Sequence, residues 1–192
     1  MSVFKRLHYN APVILTYTLL SLLATALIAA DVGAHTVFSV YRSPLSPLFV
    51  VRLFAHVLGH ASVEHFTGNF MLILLIGPML EEKYGSRTIL IVIAITAFVT
   101  GITNILMFSS MLMGASGVAF SFIIISSLVN LREGRIPLTF VLVVALYIGR
   151  EVAAALAVTE TNISHTTHIL GGLCGAVMGS FLARKDSSLR SE

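Results

Sequence analysis

Residues 89–108, ILIVIAITAFVTGITNILMF, form a run of twenty positions without a charged side chain. A helix of about 20 mostly apolar residues is long enough to cross the hydrocarbon core of a bilayer. Over the whole chain, 56% of the 192 residues are hydrophobic and 11% are charged, whereas soluble domains average roughly 25% charged residues. The composition therefore predicts an integral membrane protein.

Apolar stretches recur on both sides of this run, with no Pro/Ser-rich linker between them. They cover residues 11–30, 65–80, 112–129, 136–157 and 166–183. Because the lengths of these stretches are close to that of a transmembrane helix, we predict an all-α fold. The expected architecture is a polytopic bundle of six transmembrane helices that forms a single domain over residues 1–192.

Basic residues are unevenly distributed between the two ends of the predicted helices. With six spans, one side of the membrane receives both chain termini and nine of the twelve basic residues: Lys5, Arg6, Lys83, Arg87, Arg132, Arg135, Arg184, Lys185 and Arg190. The positive-inside rule therefore predicts that both termini are cytoplasmic. A net charge of +3, spread over short loops, does not indicate nucleic-acid binding.

The segment between the first two predicted spans, residues 31–64, is too long for a tight turn and too interrupted for a span. It contains Pro44, Pro47 and Arg52 beside the strongly apolar residues 48–51. An ordinary external loop is one interpretation. We favour the other, a membrane-embedded loop whose short amphipathic pieces lie partly in the outer leaflet.

Ser116 lies at the predicted start of the fourth span, between Gly114 and Gly117 and next to Ala115. Glycines allow the backbone to turn sharply and to approach another chain closely. The first N–H groups of a helix have no partner inside the helix and could stabilise an oxyanion. Small residues are also ordinary packing positions in membrane helices, so this motif alone leaves both interpretations open.

His168 lies near the outer end of the sixth predicted span and is followed by Gly171, Gly175 and Gly179. Glycines spaced by four form a smooth stripe, against which a neighbouring helix can pack closely. If the fourth span is that neighbour, His168 is directed towards Ser116. The alternative is a packing stripe that ends in a histidine by coincidence.

His65 and Asn69 are four residues apart, so they share one face of the second span. The rise of 1.5 Å per residue gives the distance of these two residues, and of Ser116 and His168, from the cytoplasmic ends of their helices. All four then lie about 18–24 Å from those ends, or about 10 Å below the outer surface of the membrane. This shared depth predicts that the four side chains form one site, although hydrogen bonding between helices is the alternative role of His65 and Asn69.

With these motifs assembled, the chain resembles the rhomboid intramembrane serine proteases, and among them the compact six-span bacterial GlpG type. The motifs that carry the resemblance are His65-x-x-x-Asn69, Gly114-x-Ser116-Gly117, His168-x-x-Gly171-x-x-x-Gly175, Glu81-x-x-x-Gly85 and Arg52 in the loop. The resemblance implies one membrane domain with short cytoplasmic tails and without a separate soluble domain.

The resemblance also implies roles for individual residues. Ser116 would be the nucleophile and His168 the general base, in a dyad without an acidic member. His65, Asn69 and the backbone N–H of Ser116 would form the oxyanion hole. The residues implied to support them are Gly114, Gly117, Phe120, Gly171, Gly175 and Arg52. The family usually has a tyrosine at the position of Phe120 and a tryptophan at that of Val51.

Partners and location follow from the same resemblance. The substrates would be transmembrane proteins, the surroundings would be membrane lipids, and no cofactor, metal, nucleic acid or obligate partner is expected. The protein would reside in a bacterial inner membrane, with the active site open to the periplasm. Substrates would enter between the second and fifth spans, beneath a lid formed by residues 158–166.

Three alternatives remain open from the sequence. The first is a rhomboid-like protein that binds transmembrane helices without cleaving them. The second is a metal transporter or metalloprotease using His56, His60, His65 and Glu64, although the chain has no His-Glu-x-x-His helix. The third is a channel or transporter for small solutes, although the chain shows no clear inverted repeat.

Overall fold

The computed structural model describes residues 9–128, 138, 141–142, 145–146 and 162–189. The helices of the described part are α1 (Pro12–Ala29), a short 3-10 helix (Ala34–Thr36), α2 (Pro47–Ala55), α3 (Val63–Tyr84), α4 (Ser86–Met107), α5 (Ser116–Leu128) and α6 (Asn162–Leu189). This part of the chain contains no β-strand and one isolated β-bridge, between Val40 and Leu112. The predicted all-α class is confirmed.

Four of these helices are long and apolar enough to cross a membrane, namely α1, α3, α4 and the His165–Ala183 part of α6. They correspond to the predicted first, second, third and sixth spans. The predicted fifth span, residues 136–157, lies outside the described residues except at five positions, which are helical. The described part of the chain is therefore helical and contains four candidate membrane spans.

The fourth span differs from the prediction. A helix beginning at residue 112 was expected, but α5 begins at Ser116. Leu112 instead exchanges two backbone hydrogen bonds with Val40, each 2.9 Å long, and Gly114 has a φ of 132°, which residues with a side chain rarely adopt. The described part of α5 runs from Ser116 to Leu128 and has 13 residues, which is about 20 Å of helix.

The loop after α1 contains a short amphipathic helix. In α2, the hydroxyl of the N-cap residue Ser46 accepts a hydrogen bond from the N–H of Phe49 at 3.1 Å, and Pro47 occupies the first helical position, which favours proline. Val50, Val51 and Phe54 are exposed, while the other face is buried. The exposed apolar face fits the predicted contact with lipid, which remains a prediction.

The free backbone N–H groups in the first turn of α1 find their hydrogen-bond acceptor in a residue of α3. No side chain caps α1 locally, and the N–H groups of Val13 and Ile14 each donate to the carboxylate of Glu81 at 2.9 Å. The same carboxylate accepts from the hydroxyl of Ser86 at 2.7 Å. Glu81 thereby joins α1 to the turn between α3 and α4.

Helix α5 occupies the centre of the described bundle, since it contacts α3, α4 and α6. Val118, Phe122 and Ile125 of α5 are fully buried. A central helix is held from several sides, so its first residue, Ser116, has a well-defined position relative to the neighbouring helices.

Candidate active site

A cavity of about 360 Å³ lies between α3, α5 and α6. Its walls are formed by Glu64, His65, Gly68, Asn69, Leu72, Leu112, Met113, Ser116, Ala119, Phe120, Thr167 and His168. The structure thus places Ser116, His168, His65 and Asn69, which the sequence had singled out on three separate helices, around one cavity.

The backbone before Ser116 packs directly on His65. A Cβ atom at Gly114 would lie 2.8 Å from Cε1 and 3.0 Å from Nε2 of His65, closer than van der Waals contact permits. Its φ of 132° also favours glycine. Gly114 therefore allows the imidazole of His65 to approach the chain two residues before Ser116.

Asn69 presents a hydrogen-bond donor beside the same segment. Its Nδ2 lies 3.9 Å from the position that a Cβ of Gly114 would occupy. The side chain is buried, and Nδ2 has no hydrogen-bond partner among the described residues. A buried unsatisfied donor costs about 1–3 kcal/mol, and an oxygen atom bound in the cavity would remove that cost.

His168 is positioned by close packing of α6 on α5. A Cβ atom at Gly171 would overlap the backbone of Gly117, and one at Gly175 would lie 2.8 Å from Cα of Ser121. The contacts advance by four residues on both helices, so the helices run side by side in the same direction. The hydroxyl of Ser121 also donates to the carbonyl of Gly171 at 2.7 Å. His168, one turn before Gly171, is consequently held beside the start of α5.

Phe120 contacts the ring of His168. The two ring centroids are 4.5 Å apart, with an angle of 46° between the ring planes. Phe120 lies four residues after Ser116 and therefore on the same face of α5. Because phenylalanine lacks a hydroxyl, its contribution to the orientation of His168 is through packing.

Two histidines outside the cavity hold the segment that precedes Ser116, and sequence reasoning missed this role. The N–H of Gly114 donates to the carbonyl of His56 at 2.9 Å, and the N–H of Ala115 donates to Nε2 of His60 at 3.2 Å. Because Nε2 of His60 accepts, its proton must be on Nδ1, which lies 3.2 Å from the carbonyl oxygen of Leu58. No pattern in the sequence predicts these hydrogen bonds, because they join two segments that are more than 50 residues apart in the chain.

The metal interpretation of these histidines gains no support from the described part of the chain. Among those residues, no three His, Cys, Asp or Glu side chains are grouped so that they could hold a metal ion. Nε2 of His60 is engaged by Ala115, and Nε2 of His56 lies 3.2 Å from the hydroxyl of Thr100. The ring nitrogens of His56 and His60 thus already have protein partners.

Arg52 lies away from the cavity and organises the loop that contains α2. Its Nε donates to the carbonyl of Thr36 at 2.6 Å, and its guanidinium donates to the hydroxyl of Ser43 at 3.3 Å. The guanidinium carbon also lies 4.4 Å from the ring centroid of Tyr41, a cation–π distance. The contacts of Arg52 are thus structural.

Stability should depend on pH through His56 and His60. Burial lowers the pKa of each to about 4, and for His60 the nearby His65 contributes in the same direction. The ordinary histidine pKa is about 6.5, so the unfolded chain binds more protons between these values. The stabilisation is therefore complete above about pH 6.5 and is lost as the pH falls towards 4, at about 1–3 kcal/mol per histidine.

This expectation can be measured as the apparent melting temperature of the detergent-solubilised protein between pH 7.5 and 4. His60→Gln serves as the comparison, because its amide oxygen can accept from Ala115 but does not titrate in this range. Its melting temperature should fall less steeply with pH than that of the wild type. Equal slopes would contradict the assignment of the effect to His60.

Comparison with known protein families gives a match over most of the chain. A family model described as the Rhomboid domain matches residues 48–185. The matched segment begins in α2, ends in α6 and includes every described residue of the cavity wall. None of the curated proteins compared with the chain gives a significant match.

Proposed function

This chain belongs to the rhomboid family, and on that premise we propose that it is an intramembrane serine endopeptidase that uses a Ser–His dyad. It would cleave transmembrane or membrane-adjacent segments of other membrane proteins. The observation that carries the proposal is the grouping of Ser116, His168, His65 and Asn69 around one cavity. A nucleophile, a base and hydrogen-bond donors are the groups that acyl transfer requires.

The proposed reaction follows from these side chains. The hydroxyl oxygen of Ser116 attacks the carbonyl carbon of the scissile peptide while His168 accepts the hydroxyl proton. The developing oxyanion receives hydrogen bonds from Nδ2 of Asn69, from His65 and from the N–H of Ser116. His168 then donates its proton to the leaving amine as the peptide C–N bond breaks. In the second half, His168 takes a proton from a water molecule that attacks the acyl-enzyme, and it returns this proton to the oxygen of Ser116 as the ester bond breaks and the carboxylic acid leaves.

The orientation of the base in this mechanism depends on packing. In a Ser–His–Asp triad, a carboxylate holds the imidazole in place. Here the ring of Phe120 contacts His168 at 4.5 Å between centroids, and the contact of Gly171 with Gly117 fixes α6 against α5. We propose that these two contacts replace the orienting role of a third catalytic residue.

The proposed substrates are transmembrane helices that unwind locally. A peptide carbonyl in a helix is occupied by its own hydrogen bond, so the segment entering the cavity must be extended. Small or helix-breaking residues near the cleavage site favour this opening. The proposal requires neither a cofactor nor an obligate partner protein.

The distribution of basic residues supports a bacterial-type topology, in which both termini are cytoplasmic and the cavity opens to the periplasm. The proposed entry route passes between α3 and the fifth span. The residues of that span lie mostly outside the described part of the chain, as do residues 158–161 of the proposed lid. Residues 162–166, which were expected in the lid loop, instead form the first turn of α6.

A fluorophosphonate probe tests whether Ser116 is an activated nucleophile. The detergent-solubilised wild type should form a covalent adduct at Ser116, and mass spectrometry of the digested protein locates it. Ser116→Ala should remain unlabelled. Ser126→Ala is the matched control, because Ser126 lies on the same helix and its hydroxyl donates to the carbonyl of Ile123 at 2.8 Å; it should be labelled like the wild type.

A folded wild-type protein that the probe does not label would overturn the proposed activity. It would favour instead a family member that binds transmembrane helices without cleaving them. Labelling at a serine other than Ser116 would contradict the proposed assignment of the nucleophile.

A further inference from the structure

The wall of the cavity contains a carboxylate that the proposed reaction does not use. Glu64 lines the cavity next to His65. No lysine or arginine is present among the described residues of the wall. Glu64 is the only acidic side chain among the described residues of the wall.

The backbone of Glu64 has a defined position. Glu64 is the second residue of α3, which begins at Val63. The N-cap residue Ser62 accepts a hydrogen bond from the N–H of His65 at 3.1 Å, and the hydroxyl of Thr67 donates to the carbonyl of Glu64 at 3.0 Å. These bonds hold the first turn of α3, so the carboxylate extends from a fixed point beside the proposed oxyanion hole.

The carboxylate itself is available to a ligand. The side chain of Glu64 is exposed. No residue of the described chain forms an ion pair or a side-chain hydrogen bond with it. A substrate that enters the cavity therefore meets an anionic group without a protein counter-ion in the described structure.

We propose that Glu64 is a specificity-determining residue that favours substrates with lysine or arginine next to the scissile bond. The inference rests on the proposed function, because it concerns the substrate of the same site. Lysine and arginine have apolar stems and charged ends. The stem can lie along apolar wall residues such as Leu72 and Met113 while the charged end reaches the carboxylate.

An acidic residue in the first turn of a helix has a second possible role. It interacts favourably with the positive end of the helix dipole, whatever the substrate. If this were the whole role of Glu64, Glu64→Gln would lower the melting temperature and leave the relative rates of cleavage of different substrates unchanged. The order of substrate preference therefore distinguishes the two roles.

The test uses one single-span substrate in nine versions: the residues on the two sides of the scissile bond each carry lysine, glutamine or glutamate in all combinations. The enzymes are the wild type, Glu64→Gln, Glu64→Lys and Glu82→Gln. Glu82 is an exposed glutamate at the opposite end of α3 and provides the matched control. All four enzymes are assayed in full length in the same detergent.

At the position next to the scissile bond that shows the larger effect, we expect lysine to give a kcat/KM about 5-fold higher than glutamate. This should hold for the wild type and for Glu82→Gln. Glu64→Gln should reduce this difference to less than about 2-fold, and Glu64→Lys should reverse it. High salt should weaken the wild-type preference, because ions screen the interaction of partly exposed charges.

An unchanged order of preference in Glu64→Gln would overturn the inference, as would a wild type that shows no dependence on substrate charge. A neutral fluorophosphonate probe should label the wild type and Glu82→Gln at the same rate, and labelling of Ser116 in both Glu64 variants shows that their catalytic groups are intact. If the wild type neither cleaves nor reacts with the probe, the proposed function itself fails, and the inference fails with it.

Discussion

Ser116→Ala is expected to abolish cleavage of a transmembrane substrate, and His168→Ala is expected to reduce it by about 10⁴-fold or more. The first change removes the attacking oxygen. The second removes the group that accepts its proton, so the remaining hydroxyl is a poor nucleophile at neutral pH. Because the two groups act as a unit, the double variant should be no slower than the worse single variant.

Cleavage of a single-span substrate in liposomes, followed by gel electrophoresis, measures the effect of both changes. Both variants should still fold, since Ser116 and His168 are only partly buried. Shortening a partly exposed side chain rarely unfolds a protein. Melting curves and retention of the monodisperse detergent-solubilised form provide that control. Cleavage at the wild-type rate by a clean Ser116→Ala preparation would refute the assignment.

Gly171→Ala is expected to reduce cleavage by about 100-fold and to lower stability by about 1–3 kcal/mol. A Cβ atom at this position would overlap the backbone of Gly117, which cannot move aside as a flexible side chain can. Helix α6 must shift away from α5, and His168 moves with it. A displacement of about 1 Å between catalytic groups is enough for such a loss.

Val177→Ile is the matched control for this prediction. It adds one methylene group on α6, but Val177 is 57% exposed, so the addition meets no neighbouring helix in the described structure. Its cleavage rate and melting temperature should equal those of the wild type. A Gly171→Ala variant with wild-type activity would show that close packing at Gly171 does not position the base.

The membrane helices were predictable because each is a local property of the sequence. The run at residues 89–108 became α4 with bounds that differ by only a few residues. The start of α5 was not predictable in the same way. Residues 112–115 are as apolar as the helix that follows, but Leu112 is paired with Val40, a contact between segments that are distant in the chain.

The candidate site was partly predictable for a related reason. Regular helix geometry converts sequence position into depth, and this was enough to group Ser116, His168, His65 and Asn69. The support of the segment before Ser116 could not be derived, because it depends on how a loop folds back. The hydrogen bond from Ala115 to Nε2 of His60 exists only in the folded structure. From the sequence, the spacing of the histidines suggested only an alternative role as metal ligands.

The capping of α1 by Glu81 has a consequence for the biogenesis of the protein. The first amides of α1 bind a carboxylate that lies 67 and 68 residues later in the chain. Because translation proceeds from the N-terminus, these amides lack their carboxylate partner until α3 has been synthesised. The position of α1 against α3 is then fixed only after α3 has been inserted.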